Sequence, residues 1–267
     1  MPIFFPAHSP LIHFSFFAVL NILVSTGLPY SSSRKTEIIN LKNDGLTIED
    51  SGYYPLEIDG AVGANMGSFP AICGGRESGS SVNQCYKLVA GEWQQFATMT
   101  SRRTFAAGMV VDNSLLIFGG YDYTGNVRLQ STEIINGNGE VSTGPNMPTA
   151  LSRHTIATVN SSTLIISGGF TNAISYSPLT WYYNHVTQKF HEGPALMEGR
   201  RFHGSGTVVD QVTNQKIVVV AGGWNGNYLD STELLITGEW QQGKNHAKTI
   251  EMFLLASFVW MCIFSLT

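Results

Sequence analysis

A hydrophobic strand that ends in glycine is written five times along this chain, and that repetition narrows the possible folds more than any other feature. The copies are Ile22-Leu23-Val24-Ser25-Thr26-Gly27, Ala71-Ile72-Cys73-Gly74-Gly75, Leu115-Leu116-Ile117-Phe118-Gly119-Gly120, Leu164-Ile165-Ile166-Ser167-Gly168-Gly169 and Val218-Val219-Val220-Ala221-Gly222-Gly223. Their last glycines lie 48, 45, 49 and 54 residues apart. A second landmark follows the glycines: Thr36-Glu37-Ile38-Ile39, then Ser131-Thr132-Glu133-Ile134-Ile135, then Ser231-Thr232-Glu233-Leu234-Leu235. A third is the pentapeptide Gly91-Glu92-Trp93-Gln94-Gln95, repeated as Gly238-Glu239-Trp240-Gln241-Gln242. Units of this size cannot bury a hydrophobic face alone, so they must stack on one another around a shared core.

The units read as β-structure. Each opens on a basic residue ahead of small and apolar ones, as in Arg102-Arg103-Thr104-Phe105, Arg153-His154-Thr155 and Arg200-Arg201-Phe202-His203. Val110-Val111 followed by Asp112-Asn113 reads as a strand running into a hairpin turn. Four short strands per unit result. The composition agrees: 28 glycines supply turns, and charged residues are 13% of the chain against the usual ~25%. A net charge of −4 lacks the cationic surplus that a phosphate-backbone binder needs, so nucleic acid is not an expected partner.

The basic opening residue, the di-glycine after a hydrophobic strand, the Ile-rich strand and the tryptophan together resemble the kelch repeat, and the resemblance covers residues 22–250. It implies an all-β, kelch-type β-propeller of about five four-stranded blades, and the local features look most like secreted invertebrate kelch-like proteins. The segment 244–250 reads as one further opening strand. It either completes the first blade or begins a sixth that is cut short.

The recurring residues have architectural readings. Gly74, Gly75, Gly119, Gly120, Gly168, Gly169, Gly222 and Gly223 are expected where strand ends crowd the axis or need positive φ. Several of Arg103, Arg153 and Arg201 are expected to meet the carboxylates of Glu37, Glu133 and Glu233, because a buried guanidinium requires an acceptor, with ligand binding as the alternative role. Trp93 and Trp240 are expected to fill the seams between blades, with Val141 and Phe190 in the matching places elsewhere.

Binding candidates come from loops that differ between copies. Strand alternation sends the loops between second and third strands to the same rim as those between blades. That rim collects Arg76, Tyr121, Tyr123, His154, Phe170, Asn172, Phe202, His203, Trp224, Asn225 and Tyr228, a composition suited to protein or glycan contact. Tyr121, Phe170 and Trp224, each directly after a di-glycine, read equally well as packing residues.

The ends and cysteines bear on compartment. Residues 1–21 read as a secretory signal peptide, with the apolar run 11–20 as its core though without a basic n-region; an uncleaved signal anchor and an ordinary buried segment are the alternatives. Residues 251–267 form a tail outside the repeats, uncharged from Met252 onwards. The tail is shorter than the ~20 residues of a membrane span, and a membrane enters only if it acts as an anchor. Cys73 and Cys85, on neighbouring strands, are expected to form a disulfide in a secreted chain and to be buried thiols otherwise. Asn160-Ser161-Ser162 is a glycosylation sequon in a predicted turn.

No catalytic or metal-binding residue set and no cofactor is expected. No two histidines have the helical spacing of a zinc protease, and no nucleophile elbow, phosphate loop or dinucleotide fingerprint occurs. The function read from the sequence is a secreted, non-catalytic binding or scaffolding propeller. Two alternatives stand beside it: an intracellular kelch substrate adaptor, and a carbohydrate-active propeller enzyme resembling galactose oxidase.

Overall fold

The structure is a computed structural model, and it describes residues 12–17, 21–26, 34–42, 45–210 and 213–243. Five four-stranded antiparallel sheets account for most of them, each a simple meander in chain order. The first blade is built from Ile12–Phe17, Asn21–Thr26, Lys35–Lys42 and Gly45–Tyr53. The second has Val62–Asn65, Pro70–Cys73, Gln84–Val89 and Glu92–Thr98. The third has Ala107–Val111, Ser114–Phe118, Thr132–Asn136 and Val141–Gly144. The fourth has Thr155–Thr158, Thr163–Ser167, Thr180–Asn184 and Lys189–Glu192. The fifth has Gly204–Val209, Lys216–Ala221, Thr232–Ile236 and Glu239–Gln242.

The first strands of successive blades lie against one another, from Ile12–Phe17 through to Gly204–Val209. They therefore line the axis, and the fourth strands lie outermost, as in a β-propeller.

The hydrophobic runs before the di-glycines are second strands, and both their faces are buried. Leu115 and Ile117 pack into the seam with the second blade, beside Val62, Ala71 and Ala97. Leu116 and Phe118 point the other way, into the seam with the fourth blade, beside Leu164, Ile166 and Tyr183. Ile165 turns to the fifth blade, with Val218, Val220 and Trp240. A strand with a side-chain period of two that feeds two cores must be apolar at every position, which is why these segments read as unbroken runs.

The glycines hold the blades together through their backbone. Gly74 and Gly75 adopt φ of 67° and 106°, and Gly119 and Gly120 adopt 58° and 104°. The second glycine of each pair donates its N–H to the segment leading into the next blade: Gly75 to the Arg103 carbonyl at 2.9 Å, Gly120 to Leu151 at 2.8 Å, Gly169 to Arg200 at 2.8 Å. A Cβ on Gly119 would collide with the Leu151 carbonyl, so the close approach and the positive φ both demand glycine.

Cys73 and Cys85 face each other across the second and third strands of the second blade, with Cα atoms 4.1 Å apart, and are joined by a disulfide. The first blade begins earlier than the sequence boundary at residue 22. Ile12–Phe17, inside the stretch read as a signal peptide, pairs along its length with Asn21–Thr26. It covers a strand edge that would otherwise stand open, in the position that the sequence reading offered to 244–250. That segment, the tail 251–267 and residues 1–11 and 18–20 lie outside the described residues.

Candidate binding site

Two kinds of arginine stand at the start of the blades, and they do different work. Arg103 is fully buried and lashes the lead-in of the third blade to its own sheet. Its guanidinium donates to the Gly119 and Ser131 carbonyls at 2.7 and 3.1 Å and to Glu133 at 2.5 Å. Glu133 also accepts the backbone N–H groups of Thr100 and Ser101. The fifth blade repeats this with Arg200, which bonds Gly222, Ser231 and, at 2.8 Å, Glu233. Glu233 likewise accepts from Met197 and Glu198.

The expectation for Arg153 and Arg201 is therefore corrected. The residues in register with Arg103 are Leu151 and Arg200, as the di-glycine bonds show. Arg201 is one place further along and Arg153 two, and neither has a carboxylate partner among the described residues. Where the fourth blade has Leu151 it also has Trp181 in place of the glutamate, and the second blade has Ile58 and Tyr86. Both members of the buried pair are replaced together, which avoids an uncompensated buried charge. Glu37 occupies the matching third strand of the first blade.

The position two residues after Arg103 forms a ring around the axis. Phe105 donates its backbone N–H to Gly60 at 2.7 Å, Arg153 to Phe105 at 2.8 Å, and Phe202 to Arg153 at 3.1 Å. All four residues have positive φ: 63° at Gly60, 54° at Phe105, 60° at Arg153 and 61° at Phe202. For a residue with a Cβ this conformation costs about 1–2 kcal/mol. Three blades accept that cost to place a large side chain at the end of the axis.

Those side chains meet. The Phe105 and Phe202 rings are 5.7 Å apart, and the Arg153 guanidinium lies 4.6 Å from the first and 5.0 Å from the second. Phe170, directly after a di-glycine, has three guanidiniums around it: Arg128 at 4.0 Å, Arg201 at 5.1 Å and Arg153 at 5.7 Å. Each cation near an aromatic face gains about 0.5–2 kcal/mol depending on exposure. Arg76 stacks near Tyr123 at 4.9 Å but is already neutralised by a two-pronged bond to Asp59. Burial lowers the pKa of Arg128 and Arg153, and the positive charge of Arg201 adds to the effect on both.

The remaining rim residues divide. Tyr121 and Tyr123 pack edge to face at 4.8 Å, and the Tyr123 hydroxyl accepts from Arg153. Asn172 is exposed and accepts from Arg128. Trp224 packs edge to face on Tyr228, which is 86% exposed, and Asn225 donates to Glu198.

His154 and His203 do not belong to this surface. They are 5% and 3% exposed, because the residue after the axial ring turns inward over the next di-glycine, beside Gly169 and Gly223. Burial lowers their pKa values to about 4 and about 3, with the Arg200 charge adding to the shift at His203. His203 Nε2 is 2.8 Å from the Thr155 hydroxyl.

Trp93 and Trp240 sit at seams with the preceding blade: Trp93 donates to Thr36, and Trp240 to the Pro194 carbonyl. Asn160 is exposed, its side chain closing a turn onto Ser162.

Sequence reasoning missed Arg128, Phe105 and Tyr176, the last lying 5.1 Å from Arg201. Arg128 has no counterpart in other copies, so repetition could not find it. Phe105 and Phe202 at matching distances from Arg103 and Arg200 would have given the axial position.

The class these features define is a β-propeller with a cationic, aromatic end. No protein-family model matches the chain, and no curated protein matches it. Among solved structures it is similar to one described as "Structure of YjhT", with a TM-score of 0.74, covering 90% of this chain and 85% of that one. At 11% identity the likeness carries the fold alone.

Proposed function

We propose that the chain is a kelch-type propeller that acts, after secretion, as a non-catalytic binding or scaffolding module, engaging a protein or glycan through the rim that carries Arg128, Arg153, Phe170, Arg201, Trp224 and Tyr228. The observation that carries this reading is the concentration of arginines and aromatic rings at one end of the axis. Arginine, tryptophan and tyrosine are the residue types that dominate binding hot spots. Side chains held at positive φ in three successive blades further mark this end, since backbone strain persists where it serves a purpose. The disulfide is compatible with an oxidising compartment and supports the extracellular part of the reading.

The test is capture from the extracellular fraction by immobilised full-length protein, compared with a Trp224→Ala/Tyr228→Ala variant. A ligand retained by the first and lost by the second is expected. Equal retention by both would place binding elsewhere.

A further inference from the structure

The axial end of the propeller holds more positive charge than the protein itself satisfies. Arg128, Arg153 and Arg201 surround the ring of Phe170, and no carboxylate lies within ion-pair reach of any of them among the described residues. Elsewhere this chain treats arginine differently: Arg76 has Asp59, Arg103 has Glu133 and Arg200 has Glu233. The Nε atoms of Arg153 and Arg201 are buried without an acceptor, as is that of Arg103, but Arg103 has a carboxylate on its other edge and these two do not. A buried N–H with nothing to donate to is a standing cost, and a larger one when the group is charged. Aromatic rings recover part of this through their negative faces, but they accept no directional hydrogen bond of ordinary strength.

We infer that this cluster is the receptor for a small organic carboxylate, held by the guanidinium groups of Arg153 and Arg201, which have no carboxylate of their own, with Arg128 at the rim and Phe105, Phe170 and Phe202 as apolar walls. A guanidinium presents its donors in a planar fork that matches a carboxylate. Compactness favours a small molecule over an extended chain: the three cations gather within 4.0–5.7 Å of a single phenyl ring. The walls suit a ligand whose carboxylate rides on a flat or apolar body. This inference rests on the rim being the binding surface and names the chemistry that it selects.

The test is calorimetric titration of the purified full-length chain with benzoate, citrate and glucuronate, against benzamide, glucose and inorganic phosphate. At least one carboxylate should bind saturably, more weakly as salt rises, with the neutral compounds silent. Arg201→Met and Arg128→Gln should each weaken it by at least about tenfold. Arg153→Gly should do the same without unfolding the protein, because the second blade already carries Gly60 at that place. Exposed Arg102 is the control, and Arg102→Gln should bind as the unaltered chain does. Absence of saturable carboxylate binding, binding by phosphate alone, or equal affinity in all variants would overturn the inference. A neutral ligand captured through Trp224 and Tyr228 alongside such a failure would leave the rim reading standing and remove only the carboxylate.

Discussion

At the residue scale, the fate of each arginine is set by its register against the di-glycine. One step separates Arg200, buried against Glu233, from Arg201, which faces the aromatic end. The sequence shows Arg200-Arg201 as adjacent identical residues, and nothing in it says which turns inward; backbone register decides. The buried pair makes a sharp prediction. Arg103→Met alone should destabilise by about 3–5 kcal/mol, since Glu133 is left charged and buried. Adding Glu133→Leu should recover more than about 1 kcal/mol of that, a coupling that urea unfolding in a double-mutant cycle measures. Full recovery is not expected, because Thr100 and Ser101 lose their acceptor. Strictly additive losses would contradict the pairing.

The buried histidines give a second residue-scale prediction. An unfolded histidine titrates near 6.5, whereas His154 and His203 titrate at about 4 and about 3 when folded. Below pH 6.5 the unfolded chain binds protons that the folded one refuses, so stability falls as pH drops from about 6.5 towards 4, by up to about 1.4 kcal/mol per pH unit per histidine. Above 6.5 these groups contribute no pH dependence. His154→Leu should flatten the slope of unfolding free energy between pH 6.5 and 4.5; an unchanged slope would show that His154 protonates freely in the folded protein.

At the scale of the element, the repeated strands were legible because they obey one simple constraint. A second strand that buries Leu115 and Ile117 on one side and Leu116 and Phe118 on the other must be apolar throughout, and a di-glycine must follow where it meets the next blade. The inward turn of His154 and His203 was not legible, because residues one step apart at the axis point to a rim and a core. The second blade adds a covalent tie where the third has only Phe118 opposite Thr132. Chain-entropy arguments give a bridge closing a loop of this length about 3 kcal/mol. Reduction should lower the unfolding free energy by about that amount, while Cys73→Ser/Cys85→Ser should be insensitive to reductant. A reductant effect retained in the double variant would assign the stabilisation elsewhere.

At the scale of the molecule, the strand meander separates the two ends of the axis. The turn holding Asn160 links the first two strands of the fourth blade, so it lies at the end opposite Arg153 and Phe170. A glycan on Asn160 would leave the arginine end clear. Secreted protein should therefore lose mass on glycosidase treatment and still bind, with Asn160→Gln removing the shift; an unchanged mass in material recovered from the extracellular medium would remove the modification. The propeller was readable because repetition multiplies a weak local signal five times. The binding end was only partly readable, since it is assembled from positions that break the repeat: Arg128 in one hairpin, Arg153 where the third and fifth blades have phenylalanine.

The most direct test of the central claim, that the arginine and aromatic end is where this propeller binds, is hydrogen exchange measured by mass spectrometry on the full-length chain with and without the captured ligand. Protection is predicted at 121–128, 170–176, 201–203 and 224–228, with the turns at 112–113, 160–162 and 237–238 unchanged. Protection confined to those turns would put the ligand at the other end and contradict the account.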